Sequence, residues 1–115
     1  KLSDEGIKIN VTAIMTLDQC KKSFDNLNPN IPSYISIFAG RIADTGINPE
    51  KIVAPALKYT STNINNEIIW ASPREVYNIY QADDLGCQII TVTKDIISKL
   101  KFKDYSLEKF SLDTV

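Results

Sequence analysis

Two segments of the sequence place a hydroxyl and a guanidinium around the end of a predicted β-strand. One segment, Ser36-Ile-Phe-Ala-Gly, leads into Arg41, and Ser72-Pro-Arg74 follows the next hydrophobic stretch. The carboxyl ends of parallel strands meet at one edge of a sheet, where hydroxyl, guanidinium and helix N–H groups commonly bind phosphate. The pattern therefore predicts a phosphosugar site that contains Arg41, Ser72 and Arg74.

The residues from Ser72 onward also carry the signals of a helix start. Serine is a preferred N-cap, proline suits the first helical position, and Glu75 stands three residues after the serine. We expect a helix capped by Ser72, with its free N–H groups and the Arg74 side chain facing the same anion. For each residue alone the alternatives stay open: a plain N-cap, a solvated arginine at 74, and a surface ion pair for Arg41.

Polar residues also occupy one face of the first predicted strand. Asn10 and Thr12 alternate with apolar neighbours and so share a face. Asparagine is disfavoured in strands and a buried amide needs partners, whereas threonine also fits as a plain strand residue. Lys8 lies on the same face but near the start of the strand. That is the wrong end of a barrel for chemistry, so we do not expect Lys8 to form an imine.

Alternating strands and helices must position these residues. The predicted strands span residues 7–14, 34–39, 67–71 and 87–92, and the predicted helices span 16–27, 48–59, 72–85 and 93–100. The second of these helices is expected to be irregular at Pro55, and Thr16 with Gln19 forms a capping box. The order predicts an α/β fold with a parallel sheet, which an open doubly wound sheet and a closed barrel satisfy equally.

Composition argues against several classes of partner. The net charge is −1 and charges of both signs are interspersed, so we expect neither nucleic acid nor an anionic membrane surface as a partner. The sequence has no apolar run near 20 residues and no signal-peptide pattern, which favours a cytoplasmic location. Histidine is absent, and Cys20 and Cys87 read as isolated buried thiols. These features argue against zinc chemistry and against His-based catalytic triads.

The length of 115 residues fits one domain but is short for a complete barrel, which needs roughly 250. Residues 1–6 read as the end of a helix closed by Gly6, and residues 105–115 read as a helix without a stop signal. We expect both ends to be internal to a longer chain.

Four segments, in this order and spacing, resemble the fifth to eighth strands of the transaldolase and fructose-6-phosphate aldolase family. They are Ile9–Ile14, Ser36–Ile42, Ala71–Arg74 and Ile90–Thr93. The resemblance implies a (β/α)8 barrel, of which residues 1–115 form a single domain that is the carboxyl-terminal half, roughly the last four βα units. It also implies an enzyme that transfers a dihydroxyacetone unit between phosphorylated sugars through a lysine Schiff base, with no cofactor or metal.

The resemblance further assigns roles near the reacting carbon. Asn10 would contact the ketose near the imine, Thr12 would help to hold the catalytic water, and Ser36 would bind a hydroxyl of the dihydroxyacetone unit. Phe38 resembles the transaldolase branch, whereas the aldolase branch tends to have tyrosine there. The alternative for Phe38 is a core-filling aromatic residue.

For the phosphate, the resemblance agrees with the residue pattern and assigns Arg41, Ser72 and Arg74 to the sugar phosphate. The imine-forming lysine and its acidic partners would lie upstream of Lys1. We therefore expect residues 1–115 alone to be catalytically inactive.

Three interpretations stay open at this point. The first is part of a transaldolase-like enzyme, with aldolase-type cleavage as its variant. The second is a half barrel that binds sugar phosphates without chemistry, and the third is an unrelated open α/β interaction scaffold. The sequence leaves the donor and acceptor sugars and the oligomeric state undecided, with a homo-oligomer among the options.

Overall fold

A computed structural model describes residues 6–114, which form four strands and six α-helices. The strands are β1 (Ile9–Ile14), β2 (Ser33–Phe38), β3 (Asn66–Ala71) and β4 (Ile89–Ile90). The helices are α1 (Leu17–Asp25), α2 (Ala39–Asp44), α3 (Glu50–Thr60), α4 (Tyr77–Leu85), α5 (Lys94–Ser98) and α6 (Leu107–Thr114), and a 3-10 turn (Lys99–Phe102) follows α5. Of the helix end predicted over residues 1–6, residues 1–5 lie outside the described part of the chain.

The four strands form one parallel sheet in the order β1-β2-β3-β4, which confirms the predicted α/β class. Strands that follow one another along the chain are also neighbours in the sheet. Their carboxyl ends therefore lie along one edge, as the predicted site requires. This order is consistent with part of a (β/α) barrel.

The sheet is covered on one face. Alternate residues of β2 and β3, such as Ile35, Ile37, Ile68 and Trp70, are fully or almost fully buried in the hydrophobic core. Side chains of the connecting helices pack against the same core, among them Cys20, Phe24, Val53, Ala56, Leu57 and Ala82. Because side chains alternate across a strand, Asn10 and Ser36 belong to the opposite face.

The start of α1 confirms the predicted capping box. The Gln19 N–H donates to Oγ1 of Thr16 over 3.1 Å. In return, Oε1 of Gln19 accepts the N–H groups of Met15 and Thr16 over 2.8 and 3.1 Å. The two side chains thus satisfy three backbone donors that the helix itself leaves without a partner.

Three other predicted bounds differ from the structure. A short helix, α2, that the sequence did not predict begins directly after β2, and the N–H groups of Thr45 and Gly46 donate to carbonyls at its carboxyl end. Helix α3 continues through Pro55 to Thr60. Strand β4 has two residues instead of the six predicted, because it pairs with β3 at Ile69 and Trp70 alone.

The helix predicted over residues 93–100 is shorter than expected. The side chain of Thr93 accepts the Ile96 N–H over 3.4 Å, which confirms the predicted cap. Helix α5 ends at Ser98, and the chain continues as the 3-10 turn.

Candidate functional site

Helix α2 and the segment after β3 touch at Gly40. This glycine is buried, and a Cβ atom placed on it would overlap the carbonyl oxygen of Ser72. The same Cβ position lies 3.1 Å from Nε of Arg74. The structure therefore brings Ser72 and the side chain of Arg74 against the first turn of α2, and only glycine leaves the space for this contact.

The prediction that Ser72 caps a helix is wrong. The φ angle of Ser72 is 59°, in the left-handed region, and α4 begins at Tyr77 with Val76 as its N-cap residue. An N-cap serine has extended backbone angles that aim its hydroxyl at the first N–H groups of the helix. The left-handed turn at Ser72 instead lets its carbonyl pack on Gly40, and the chain needs four more residues to reach the helix.

Asn78 takes over the backbone groups that a cap would have satisfied. Its Oδ1 atom accepts the N–H groups of Arg74 and Glu75 over 2.8 and 2.9 Å. The N–H groups of Asn78 and Ile79 donate to carbonyls of the preceding turn. These four backbone donors are thus engaged within the protein.

Both arginines of the chain lie near this contact, in different surroundings. Nη2 of Arg74 donates to Oδ2 of Asp44 over 2.8 Å, and both side chains are about half exposed. Arg41 follows Gly40 on α2 and is exposed, and within residues 6–114 it has no ion-pair partner. The site thus offers one guanidinium held by a carboxylate and one open to a ligand.

The polar residues of the uncovered sheet face meet between β1 and β2. The hydroxyl of Ser36 donates to Oδ1 of Asn10 over 2.8 Å, and Ser36 is buried. Asn10 itself is exposed, and its Nδ2 group makes no hydrogen bond within the described residues. The predicted pair therefore lies together, with one amide nitrogen oriented by Ser36 and available to a ligand.

Thr12 and Phe38 lie nearer to the carboxyl ends of the same strands. Thr12 is exposed and precedes Ala13, whose φ angle is 61°, at a shift in the pairing of β1 with β2. Such bulges re-aim side chains and often lie beside active sites. Phe38 is half-buried at the junction of β2 and α2.

Two residues around this site were not singled out from the sequence. One is Asp44, whose pairing with Arg74 spans 30 residues, a separation that local patterns do not reveal. Asn78 carried a usable signal, because a short amide side chain in the first turn of a helix can accept N–H groups of the preceding residues.

A groove of about 600 Å³ lies elsewhere, between α1 and α3. Its lining includes Leu17, Phe24 and Tyr59. The hydroxyl of Tyr59 donates to the carboxylate of Asp25, and this bond raises the pKa of Tyr59. This groove lies among the covering helices, whereas the polar groups described above lie at the strand ends, so we place the candidate site at the strand ends.

The two thiols do not contribute a reactive group to the site. Burial raises the pKa of Cys20 to about 11 and also raises the pKa of Cys87. Both are free cysteines, and residues 6–114 contain no group of three or more Cys, Asp or Glu side chains placed to hold a metal ion. No helix in the same range is long and apolar enough to cross a bilayer.

Comparison with known proteins identifies the family. Residues 1–113 match the family model described as "Transaldolase/Fructose-6-phosphate aldolase". This chain is 31%, 32% and 30% identical over 116 residues to proteins named "Probable transaldolase" from Methanococcus maripaludis strain C7, Thermoanaerobacter sp. strain X514 and Brucella ovis, respectively. In each case the match covers 97% of this chain and 52% of the relative, so the chain spans about half the length of these relatives. The chain belongs to the transaldolase/fructose-6-phosphate aldolase family.

Proposed function

We propose that the protein carrying this chain transfers a dihydroxyacetone unit between phosphorylated sugars through a lysine Schiff base. In this proposal residues 1–115 supply the phosphate-binding part of a (β/α)8 barrel, as its last four βα units. The lysine that forms the imine lies upstream of residue 1. The family membership supports the reaction class, and the geometry around Gly40 supports the phosphate site.

The observation that carries the proposal is the contact between the two arginine-bearing segments. Gly40 lets the chain at Ser72 pack onto α2, which places Nε of Arg74 beside the turn that bears Arg41. In the proposal, both guanidinium groups and the Ser72 hydroxyl bind one phosphate group in this region. One guanidinium group can donate two parallel hydrogen bonds to phosphate oxygens, and such charge-assisted bonds contribute about 1.5–3 kcal/mol each.

The uncovered sheet face would receive the rest of the ketose. Asn10, fixed by Ser36, donates from Nδ2 toward an oxygen near the imine, and Ser36 contacts a hydroxyl of the dihydroxyacetone unit. Thr12, at the bulge, helps to hold the water that hydrolyses the imine. These assignments follow the family resemblance, and the Asn10–Ser36 hydrogen bond supports them.

The direct test is Arg74→Ala in the complete protein. The Michaelis constant for fructose 6-phosphate should rise roughly tenfold or more, while that for unphosphorylated fructose should stay the same. Lys58→Ala, which removes an exposed cation from the groove between α1 and α3, is the matched control and should change neither value. An unchanged Michaelis constant for fructose 6-phosphate in Arg74→Ala would remove Arg74 from the site.

The location of the nucleophile has its own test. Borohydride reduction of the complete protein with fructose 6-phosphate should attach the sugar carbon to a lysine outside residues 1–115. Lys8, near the start of β1, is the internal control, because its place on the uncovered face makes it the nearest competitor. An adduct that maps to Lys8 would overturn the assignment.

Phe38 distinguishes transfer from aldolase-type cleavage. An apolar ring at this position withholds a hydrogen-bonding group from the water that would release the imine carbon. In Phe38→Tyr the added hydroxyl can orient water and assist proton transfer, so the ratio of free dihydroxyacetone to transferred product should rise. A constant ratio in a folded Phe38→Tyr protein would assign Phe38 to packing and withdraw the support for the transfer branch.

A further inference from the structure

The segment that carries Arg74 has no regular structure of its own. Between the end of β3 at Ala71 and the start of α4 at Tyr77, the chain forms neither helix nor strand. Its first residue is held by the contact of Ser72 with Gly40. Its middle is held by Asn78, which accepts the N–H groups of Arg74 and Glu75.

The amide of Asn78 is oriented by two further side chains. Its Nδ2 group donates to Oε1 of Gln81 over 2.8 Å, and Nε2 of Gln81 donates to Oε2 of Glu50 over 2.8 Å. A carboxylate can only accept hydrogen bonds, so Gln81 must present its nitrogen to Glu50 and its oxygen to Asn78. Asn78 must then turn its nitrogen toward Gln81 and its oxygen toward the backbone of Arg74. The charge at the start of α3 thus sets the direction of the whole chain of hydrogen bonds.

We propose that Asn78 is a positioning residue for phosphate binding, and that Gln81 and Glu50 act through it. By fixing the backbone at Arg74, Asn78 keeps the guanidinium beside α2 before the substrate arrives. A segment that had to be ordered during binding would lose affinity for the phosphate. This inference rests on the proposed function, because it assumes that Arg74 binds the sugar phosphate.

The test is a double-mutant cycle in the complete protein. Asn78→Ala should raise the Michaelis constant for fructose 6-phosphate about three- to tenfold and leave that for unphosphorylated fructose unchanged. Because Asn78 acts through Arg74, the same substitution in an Arg74→Ala background should have no further effect. Asn78→Asp keeps an acceptor for both N–H groups but places a second acceptor against Oε1 of Gln81, so its Michaelis constant should lie between those of wild type and Asn78→Ala.

Gln19→Ala is the matched control. Gln19 accepts the backbone N–H groups of the residues three and four positions before it, as Asn78 does, but at the start of α1. Its loss should lower the melting temperature by a similar amount without changing either Michaelis constant. A purely structural role for Asn78 would make the two variants alike in both measurements.

The outcomes separate this inference from the proposed function. If Arg74→Ala leaves the Michaelis constant for fructose 6-phosphate unchanged, the proposed phosphate site is wrong. If Arg74→Ala raises it but Asn78→Ala does not, or does so equally in both backgrounds, the positioning role alone is overturned. Should Asn78→Ala not fold, Gln81→Leu decides the cycle. Gln81→Leu leaves the loop residues intact. We expect it to raise the Michaelis constant for fructose 6-phosphate about two- to threefold, and this rise should likewise vanish in the Arg74→Ala background.

Discussion

The starts of α1 and α4 carry the same sequence signal and have different structures. Thr16 is followed by Gln19 and Ser72 by Glu75, so each has a hydroxyl residue with an amide or acid three positions later. Thr16 has extended backbone angles, φ −123° and ψ 154°, and caps α1. Ser72 is left-handed and lies five residues before α4.

The difference lies in what each segment contacts. Thr16 has no demand on its backbone beyond the helix that it caps. Ser72 instead packs its carbonyl on Gly40, and Asn78 supplies from inside α4 the acceptor that Gln19 supplies in α1. A capping sequence is thus overridden where a tertiary contact holds the backbone in another conformation. The released segment is the one that carries Arg74 to α2.

The largest expected effect comes from Gly40→Ala, which fills the space beside α2 that the Ser72 carbonyl occupies. The new methyl group would overlap backbone atoms, which cannot move aside as a flexible side chain can, so the free energy of unfolding should fall by about 3 kcal/mol or more. In the control Gly46→Ala the added Cβ meets no atom, and the cost should be the roughly 1–2 kcal/mol of a left-handed alanine. Denaturant unfolding of both variants measures this. Equal losses would mean that the contact with Ser72 does not constrain the fold.

A second expected effect is a pH dependence of stability that comes from Cys20 on the buried face of α1. Because burial raises the pKa of Cys20 from 9.0 to about 11, the folded state holds its proton more tightly than the unfolded state. The stabilisation is complete below pH 9 and is lost as the pH rises toward 11, by about 2–3 kcal/mol in total. Unfolding free energies of wild type and Cys20→Ala from pH 8 to 11 should therefore converge. Parallel pH curves would show that the thiol is not protected in the fold.

The two hydroxyl residues provide the most direct comparison of the helix starts. Thr16→Ala removes a working cap and should cost about 1 kcal/mol of stability, whereas Ser72→Ala should cost only a few tenths. The order is reversed for the Michaelis constant for fructose 6-phosphate. Under the proposed function Ser72→Ala should raise it and Thr16→Ala should not, because of the two residues only Ser72 faces the phosphate. Thermal melts and steady-state kinetics of both variants check this. A loss of about 1 kcal/mol in Ser72→Ala would mean that Ser72 stabilises α4 after all.

The smallest expected effect is that of Asp44→Asn. The ion pair between Asp44 and Arg74 is about half exposed, and such pairs contribute roughly 0–1 kcal/mol. The Asn78 hydrogen bonds remain, so we expect a change in stability within about 0.5 kcal/mol and a smaller change in the Michaelis constant than Asn78→Ala gives. If Asp44→Asn raised the Michaelis constant more than Asn78→Ala does, Arg74 would be positioned mainly through its side chain and not through its backbone.

Local patterns predicted the parts of the fold that local interactions determine. The order of the four strands and of helices α1, α3, α4 and α5, the capping box at Thr16 and the cap at Thr93 are each set by residues within a few positions of one another. The left-handed turn at Ser72 was missed because it depends on Gly40, which is 32 residues away along the chain. The short β4 was missed because its length is set by pairing with β3.

The candidate site divides in the same way. Strand alternation places Asn10 and Ser36 on one face, and the structure joins them by a hydrogen bond. The supports of Arg74 could not be derived in this manner. Asp44 contacts Arg74 from α2, and Glu50 of α3 acts on it only through Gln81 and Asn78 of α4. Residue type and strand position thus indicate which groups could bind a ligand, whereas their orientation depends on tertiary contacts.

The most direct test of the phosphate site is a crystal structure of the complete protein with fructose 6-phosphate. We expect phosphate oxygens within about 2.7–3.2 Å of guanidinium nitrogens of both Arg41 and Arg74, with Ser72 beside them. We also expect the Asn78 hydrogen bonds to Arg74 and Glu75 to persist in the complex. A phosphate bound elsewhere, with both guanidinium groups free of it, would show that Arg41 and Arg74 do not form the phosphate site.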